Sequence, residues 1–148
     1  MTDIKIEDFD AKLREYIGTP FRHHGRVVGK NGGLDCGGMI ILAMTDVGLP
    51  AIDGKTYTKS DGISIIRQSL NDNCIQLDNN CDISPGNLIL LRGRNMYHHL
   101  VYWTIAGTII HAWQTTGVNK VVESQMLPEW WNMIDSVWQI KGLETWEQ

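Results

Sequence analysis

Cys36 stands where a thiol can serve as a nucleophile. A thiol attacks only as its thiolate, and a helix N-terminus lowers its pKa. The run Gly32-Gly33-Leu34-Asp35 leads into Cys36, and the residues from Met39 to Met44 are apolar nearly all round. That pattern predicts a buried helix starting at the cysteine. Gly37 and Gly38 follow it. Small residues there let a substrate backbone come close and leave the first helical N–H groups free to hold an oxyanion. Taken alone, the same features fit a buried free cysteine better than a nucleophile.

The histidines change that balance. His99 opens the apolar run Leu100-Val101-Tyr102-Trp103, and His111 lies within Thr108 to Trp113. A hairpin centred near Ile105 sets the two opposite each other, with Cβ atoms about 4.5–5.5 Å apart. One imidazole then acts as base and the other orients it. A tight turn at Ala106-Gly107 instead brings His98 to the face of His111. A third arrangement gathers His23, His24, His98, His99, His111 and Cys36 around zinc, but the sequence has no H-E-x-x-H or paired C-x-x-C to support it. No other cofactor is called for. Cys74 and Cys81 bring the cysteines to three, an odd count that argues against a disulfide framework and reads as buried free thiols.

The elements that must position these residues are legible in outline. A helix is predicted over 7–17, with Phe9, Leu13, Tyr16 and Ile17 on one face and Glu7, Asp8 and Asp10 near its positive end. Residues 21–35 read as a glycine-bearing loop, 36–47 as the buried helix, and 60–71 as a third helix with Ser60 as its cap. Short strands are predicted over 87–92, 97–104, 108–113, 117–123 and 136–141. Helices first and strands second give an α+β domain spanning 1–148, its nucleophile at the start of a buried helix packed on a C-terminal antiparallel sheet.

Five pieces in this order resemble the NlpC/P60 family of bacterial cell-wall cysteine peptidases. They are Gly18-Thr19-Pro20-Phe21, Leu34-Asp35-Cys36-Gly37-Gly38-Met39-Ile40, Pro85-Gly86-Asn87-Leu88-Ile89-Leu90, His99-Leu100-Val101-Tyr102 and Ile110-His111-Ala112. The resemblance implies a papain-like fold, catalytic Cys36, His99 and His111, and a peptidoglycan stem peptide cut between D-glutamate and the diamino acid. The step from His99 to His111 fits the family's spacing and favours His99 over His98. Residues expected to contact substrate are Asp35, Phe21, Gly37, His23, His24 and Trp113. Phe21 replaces a frequent tyrosine and cannot donate a hydrogen bond, so His23 or His24 is the candidate second oxyanion donor beside the Cys36 N–H. Gly37 replaces the usual serine, and Asn87 the usual aspartate. The stretch from Gly18 to Arg26 looks most like members encoded in phage-tail and gene-transfer-agent clusters, which implies phage-tail proteins as partners and a virion-associated protein acting at the wall. The departures at Phe21 and Gly37 keep open a non-catalytic tail or binding module on the same fold, and the implied papain-like fold keeps open an amidase or acyltransferase acting on another substrate.

Composition narrows the partners. The 148 residues carry a net charge of −4 and no basic block, which argues against nucleic acid. The apolar run from Met39 to Met44 is far too short to span a bilayer. The N-terminal residues lack the apolar core of a secretory signal, so synthesis in the cytoplasm is expected.

Overall fold

The first helix, α1 (Ile6–Glu15), buries Ile6, Phe9 and Leu13, and Tyr16 just beyond its end is buried with them. It closes sooner than its apolar spacing suggests. Tyr16 N–H already bonds back to Leu13 O at 3.0 Å, and Gly18 takes a positive φ of 95°. Asp10 does not serve as an exposed dipole acid but is buried. It accepts hydrogen bonds from the Tyr102 hydroxyl and, at 2.9 Å, from the Ile105 N–H. The computed structural model describes residues 3–53, 62–93 and 98–147.

Residues 21–35 are more than a loop. They carry a two-residue hairpin of β1 (Arg26–Val27) and β2 (Gly33–Leu34). Strands this short show no alternation in the sequence. Glycine permits the close approach: a Cβ on Gly32 would lie 2.1 Å from the Val27 carbonyl oxygen. The buried helix α2 (Cys36–Asp46) follows, and then α3 (Gly62–Asn73), which runs two residues past the expected end at 71. The proposed cap Ser60 lies outside the described residues. Asn73 ends α3 by pairing with both the N–H and the C=O of Ile52, at 2.7 and 2.9 Å.

The main sheet is antiparallel throughout, ordered β3 (Cys74–Gln76), β8 (Ile134–Ile140), β4 (Asn87–Arg92), β5 (His98–Trp103), β6 (Ile109–Thr115), β7 (Val118–Ser124). The edge strand β3 and the 3₁₀ turn at Pro128–Met133 are absent from the sequence reading, because neither is long enough for a period to show. The sheet is covered on both faces. Leu88, Leu90, Leu100, Tyr102, Ile110 and Ala112 join the helices in the larger core. Ile89, Leu91, Val101 and Ile109 pack on the other face with Met126 and, half-buried, Trp130. Among the described residues no helix is long and apolar enough to cross a membrane.

Candidate active site

Asp35 sets the start of α2. Its Oδ1 accepts from Gly38 N–H at 2.6 Å and from Arg26 Nη1 at 3.3 Å, while Oδ2 accepts from His24 N–H at 2.8 Å. The carboxylate expected to meet substrate is thus spent on the cap and on the 22–26 turn, where His24 holds a positive φ of 59°. Gly38 is small for an internal reason rather than for a substrate. A Cβ there would lie 2.3 Å from Arg26 Nη1 and 2.7 Å from the Gly25 oxygen. Gly37 is the open one, since a Cβ on it would meet nothing within 4 Å.

This cap places the half-buried Cys36 against the sheet. The backbone N–H groups of Leu100, Gly37 and Cys36 itself lie near enough to its sulfur to favour the thiolate. Leu100 follows His99 in β5, so the sulfur lies near the backbone group next to the candidate base. Pairing between β5 and β6 holds only Tyr102 with Ile110 and Trp103 with Ile109, and it is beyond this short ladder that the Leu100 backbone turns to the thiol.

The hairpin is not centred near Ile105. Thr104 pairs with Thr108 around the three-residue loop Ile105-Ala106-Gly107, whose glycine has φ of 76°. Neither the direct facing of His99 and His111 nor the tight turn that favours His98 is formed. The centre moves by one residue, so the pairing moves by two and each side chain keeps its face. His99 and His111 become diagonal neighbours, and His99 Nε2 lies 2.7 Å from His111 Nδ1. With Nε2 so engaged, proton exchange with a thiol falls to His99 Nδ1.

Two residues unseen in the sequence complete the group. Ser124 Oγ lies 2.9 Å from His111 Nε2. Trp130, on the 3₁₀ turn, packs edge-on against both imidazoles, with ring centroids 5.7 Å from His99 and 5.8 Å from His111. Trp113 tilts over His111 at 5.2 Å. The turn Thr116-Gly117 between β6 and β7 could have pointed to Ser124, because Thr115 pairs with Val118 and that register sets Ser124 opposite Ile109. Nothing in the local sequence brings Trp130 to the histidines.

Enclosure decides the charges. Burial lowers His99 to about 3, helped by the neighbouring His111, and burial alone lowers His111 to about 4. Burial, then the Asp35 carboxylate, raises the Cys36 thiol to about 11, while the three N–H groups pull it partly back. The depressed thiol expected at a helix start is therefore corrected: desolvation outweighs the helix end. Thiol and imidazoles rest neutral at pH 7. Phe21 is half-buried beside an exposed His23, ring centroids 5.7 Å apart, and His24 is also exposed. Among the described residues no three His, Cys, Asp or Glu side chains are arranged to hold a metal ion.

No family model and no curated protein matches the sequence. The fold does match solved structures. The P60 domain of an antigen from Mycobacterium avium subspecies paratuberculosis superposes with a TM-score of 0.62 at 16% identity, covering 94% of this chain and 96% of that one. The peptidoglycan hydrolase RipB of Mycobacterium tuberculosis gives 0.61 at 18% identity, over 95% of this chain but 65% of RipB. The NlpC/p60 domain of the peptidoglycan hydrolase SagA gives 0.56 at 22% identity, over 90% of this chain and 97% of that domain. The chain thus spans about two-thirds of the length of RipB and nearly all of the other two. Helices ahead of an antiparallel sheet, with a cysteine at the start of the buried helix, make this chain an α+β protein of the papain-like NlpC/P60 fold.

Proposed function

We propose that this protein is a cysteine hydrolase that cleaves an amide bond of peptidoglycan stem peptides, between D-glutamate and the diamino acid. The observation that carries the reaction class is the 2.7 Å contact between His99 and His111, one residue from the backbone group that meets the Cys36 sulfur. The substrate class is supported by the fold's likeness to domains of proteins described as peptidoglycan hydrolases. The association with a phage tail rests on the stretch from Gly18 to Arg26 alone.

The chemistry follows from neutral partners. As the Cys36 sulfur bonds to the carbonyl carbon, its proton passes to His99 Nδ1, and His111 Nδ1 takes up the hydrogen bond from the newly charged imidazole. The Cys36 N–H, at the first turn of α2, is the oxyanion donor the chain offers by position. His99 then protonates the leaving amine and the C–N bond breaks, leaving a thioester. Water, deprotonated by His99, hydrolyses the thioester and returns the proton to sulfur.

The test is digestion of purified sacculi, with the released fragments identified by mass. The wild type should free fragments ending at D-glutamate. Cys36→Ala should lower the rate by several orders of magnitude while leaving the circular dichroism spectrum unchanged. Equal release by Cys36→Ala would overturn the mechanism, and fragments cut at another bond would overturn the substrate.

A further inference from the structure

The hydrogen-bonded row that begins at His99 does not end at His111. The register of β6 on β7 pairs His111 with Val122 and Ile109 with Ser124, so Ser124 is diagonal to His111 on the same face of the sheet. Its hydroxyl reaches His111 Nε2 at 2.9 Å. His111 has no exposed surface, Trp113 and Trp130 pack on its ring, and among the described residues no buried side-chain polar atom lacks a partner. A nitrogen enclosed in this way needs a protein partner for whatever it carries, proton or lone pair.

We propose, building on the hydrolase reading above, that Ser124 is a positioning residue that holds His111 in the tautomer with its proton on Nε2. The argument is one of proton accounting. A neutral imidazole has one N–H. For His99 to take a proton at Nδ1, its own N–H must sit on Nε2 and point at His111 Nδ1. His111 Nδ1 must then be a bare acceptor, so the His111 proton lies on Nε2 and needs an acceptor. The Ser124 oxygen is at that position. Once His99 is charged the requirement is stricter, because both its nitrogens are then donors and His111 can only accept. A hydroxyl suits this place because it accepts without adding a charge that would draw the proton out of the site.

The tautomer of each histidine can be read without substrate from ¹⁵N-labelled imidazole spectra at pH 7. In the wild type, His111 should carry its proton on Nε2. Ser124→Ala should move the population of His111 toward the Nδ1–H form and lower kcat about tenfold, the size of one lost hydrogen bond to a buried group, with KM unchanged. Ser124→Thr, which keeps the hydroxyl, should restore both. A wild-type spectrum with the His111 proton on Nδ1 would overturn the proposal even if Ser124→Ala failed to fold. So would an unchanged kcat in a folded Ser124→Ala. Because the spectrum is taken on the resting protein, a wild type inert toward a stem-peptide fragment would count against the hydrolase reading and leave the place of Ser124 to be decided by the tautomer.

Discussion

At the scale of single residues, the cluster works by exclusion of water. Neutral thiol and neutral imidazoles are what the burial of the sulfur and of the two rings should favour. The expected consequence is in the alkylation profile of Cys36. Its rate with iodoacetamide should keep climbing from pH 8 toward pH 11, following a thiol raised to about 11, with Cys74, raised to about 12 by burial, slower still. A plateau below pH 8 would mean that an ion pair with His99 is already formed. His99→Ala should be as damaging to hydrolysis as Cys36→Ala, whereas His98→Ala should be mild, because it is His99 that pairs with His111. Cys36 and His99 stand out as candidates in the sequence because each opens an apolar run, though His99 competes with its neighbour His98. Ser124 and Trp130 do not. Ser124 acquires meaning only through the pairing of β6 with β7, and Trp130 only through the path of the chain after β7.

At the scale of elements, the question is what fixes the hairpin that carries both histidines. Strand positions were readable from alternation, but the turn was placed one residue early, because direct facing of His99 and His111 requires a centre at Ile105 whereas Tyr102 pairs with Ile110. The structure answers with Asp10. A carboxylate from α1 binds the Tyr102 hydroxyl and the Ile105 N–H and faces Arg14 at 3.4 Å, so the helix itself clamps the turn. No local rule connects residues this far apart. Asp10→Ala strands a buried hydroxyl and a part-buried N–H, and should cost about 2–4 kcal/mol in urea unfolding. Asp10→Asn keeps an acceptor and should cost clearly less. An Asp10→Ala loss under 0.5 kcal/mol, about that of an ordinary surface change, would mean that the clamp does not set the turn. The two glycines of α2 give a second test. Gly37→Ser, which installs the residue seen in the resembling family, projects into open space and should unfold at the wild-type midpoint. Gly38→Ser projects into Arg26, Asp35 and Gly25 and should be destabilised, as thermal unfolding would register. Equal midpoints for the two would refute the close packing around the cap.

At the scale of the whole molecule, the site and the stability of the fold are one account. His99 and His111 lie against the second hydrophobic layer, the face that Trp130 covers, and each is held uncharged by the packing that stabilises the sheet. In the unfolded chain both imidazoles take ordinary values near 6.5, whereas in the folded chain they stand at about 3 and 4. The sign follows directly. Between those limits the unfolded state binds protons that the folded state refuses, so stability rises with pH there and is complete above about 6.5. As pH falls from 6.5 toward 4, each imidazole should remove up to about 1.4 kcal/mol per pH unit, before most carboxylates begin to titrate. Acid lability beginning near pH 6.5 is therefore the expected signature of a buried neutral pair. Urea unfolding at pH 7, 6 and 5 measures it. The wild type should lose stability across the series, and His111→Asn, which leaves one buried imidazole, should show a shallower slope whatever its absolute stability. If wild type and His111→Asn fall in parallel, His111 is not buried uncharged, and the tautomer argument that runs from His99 to Ser124 loses its starting point.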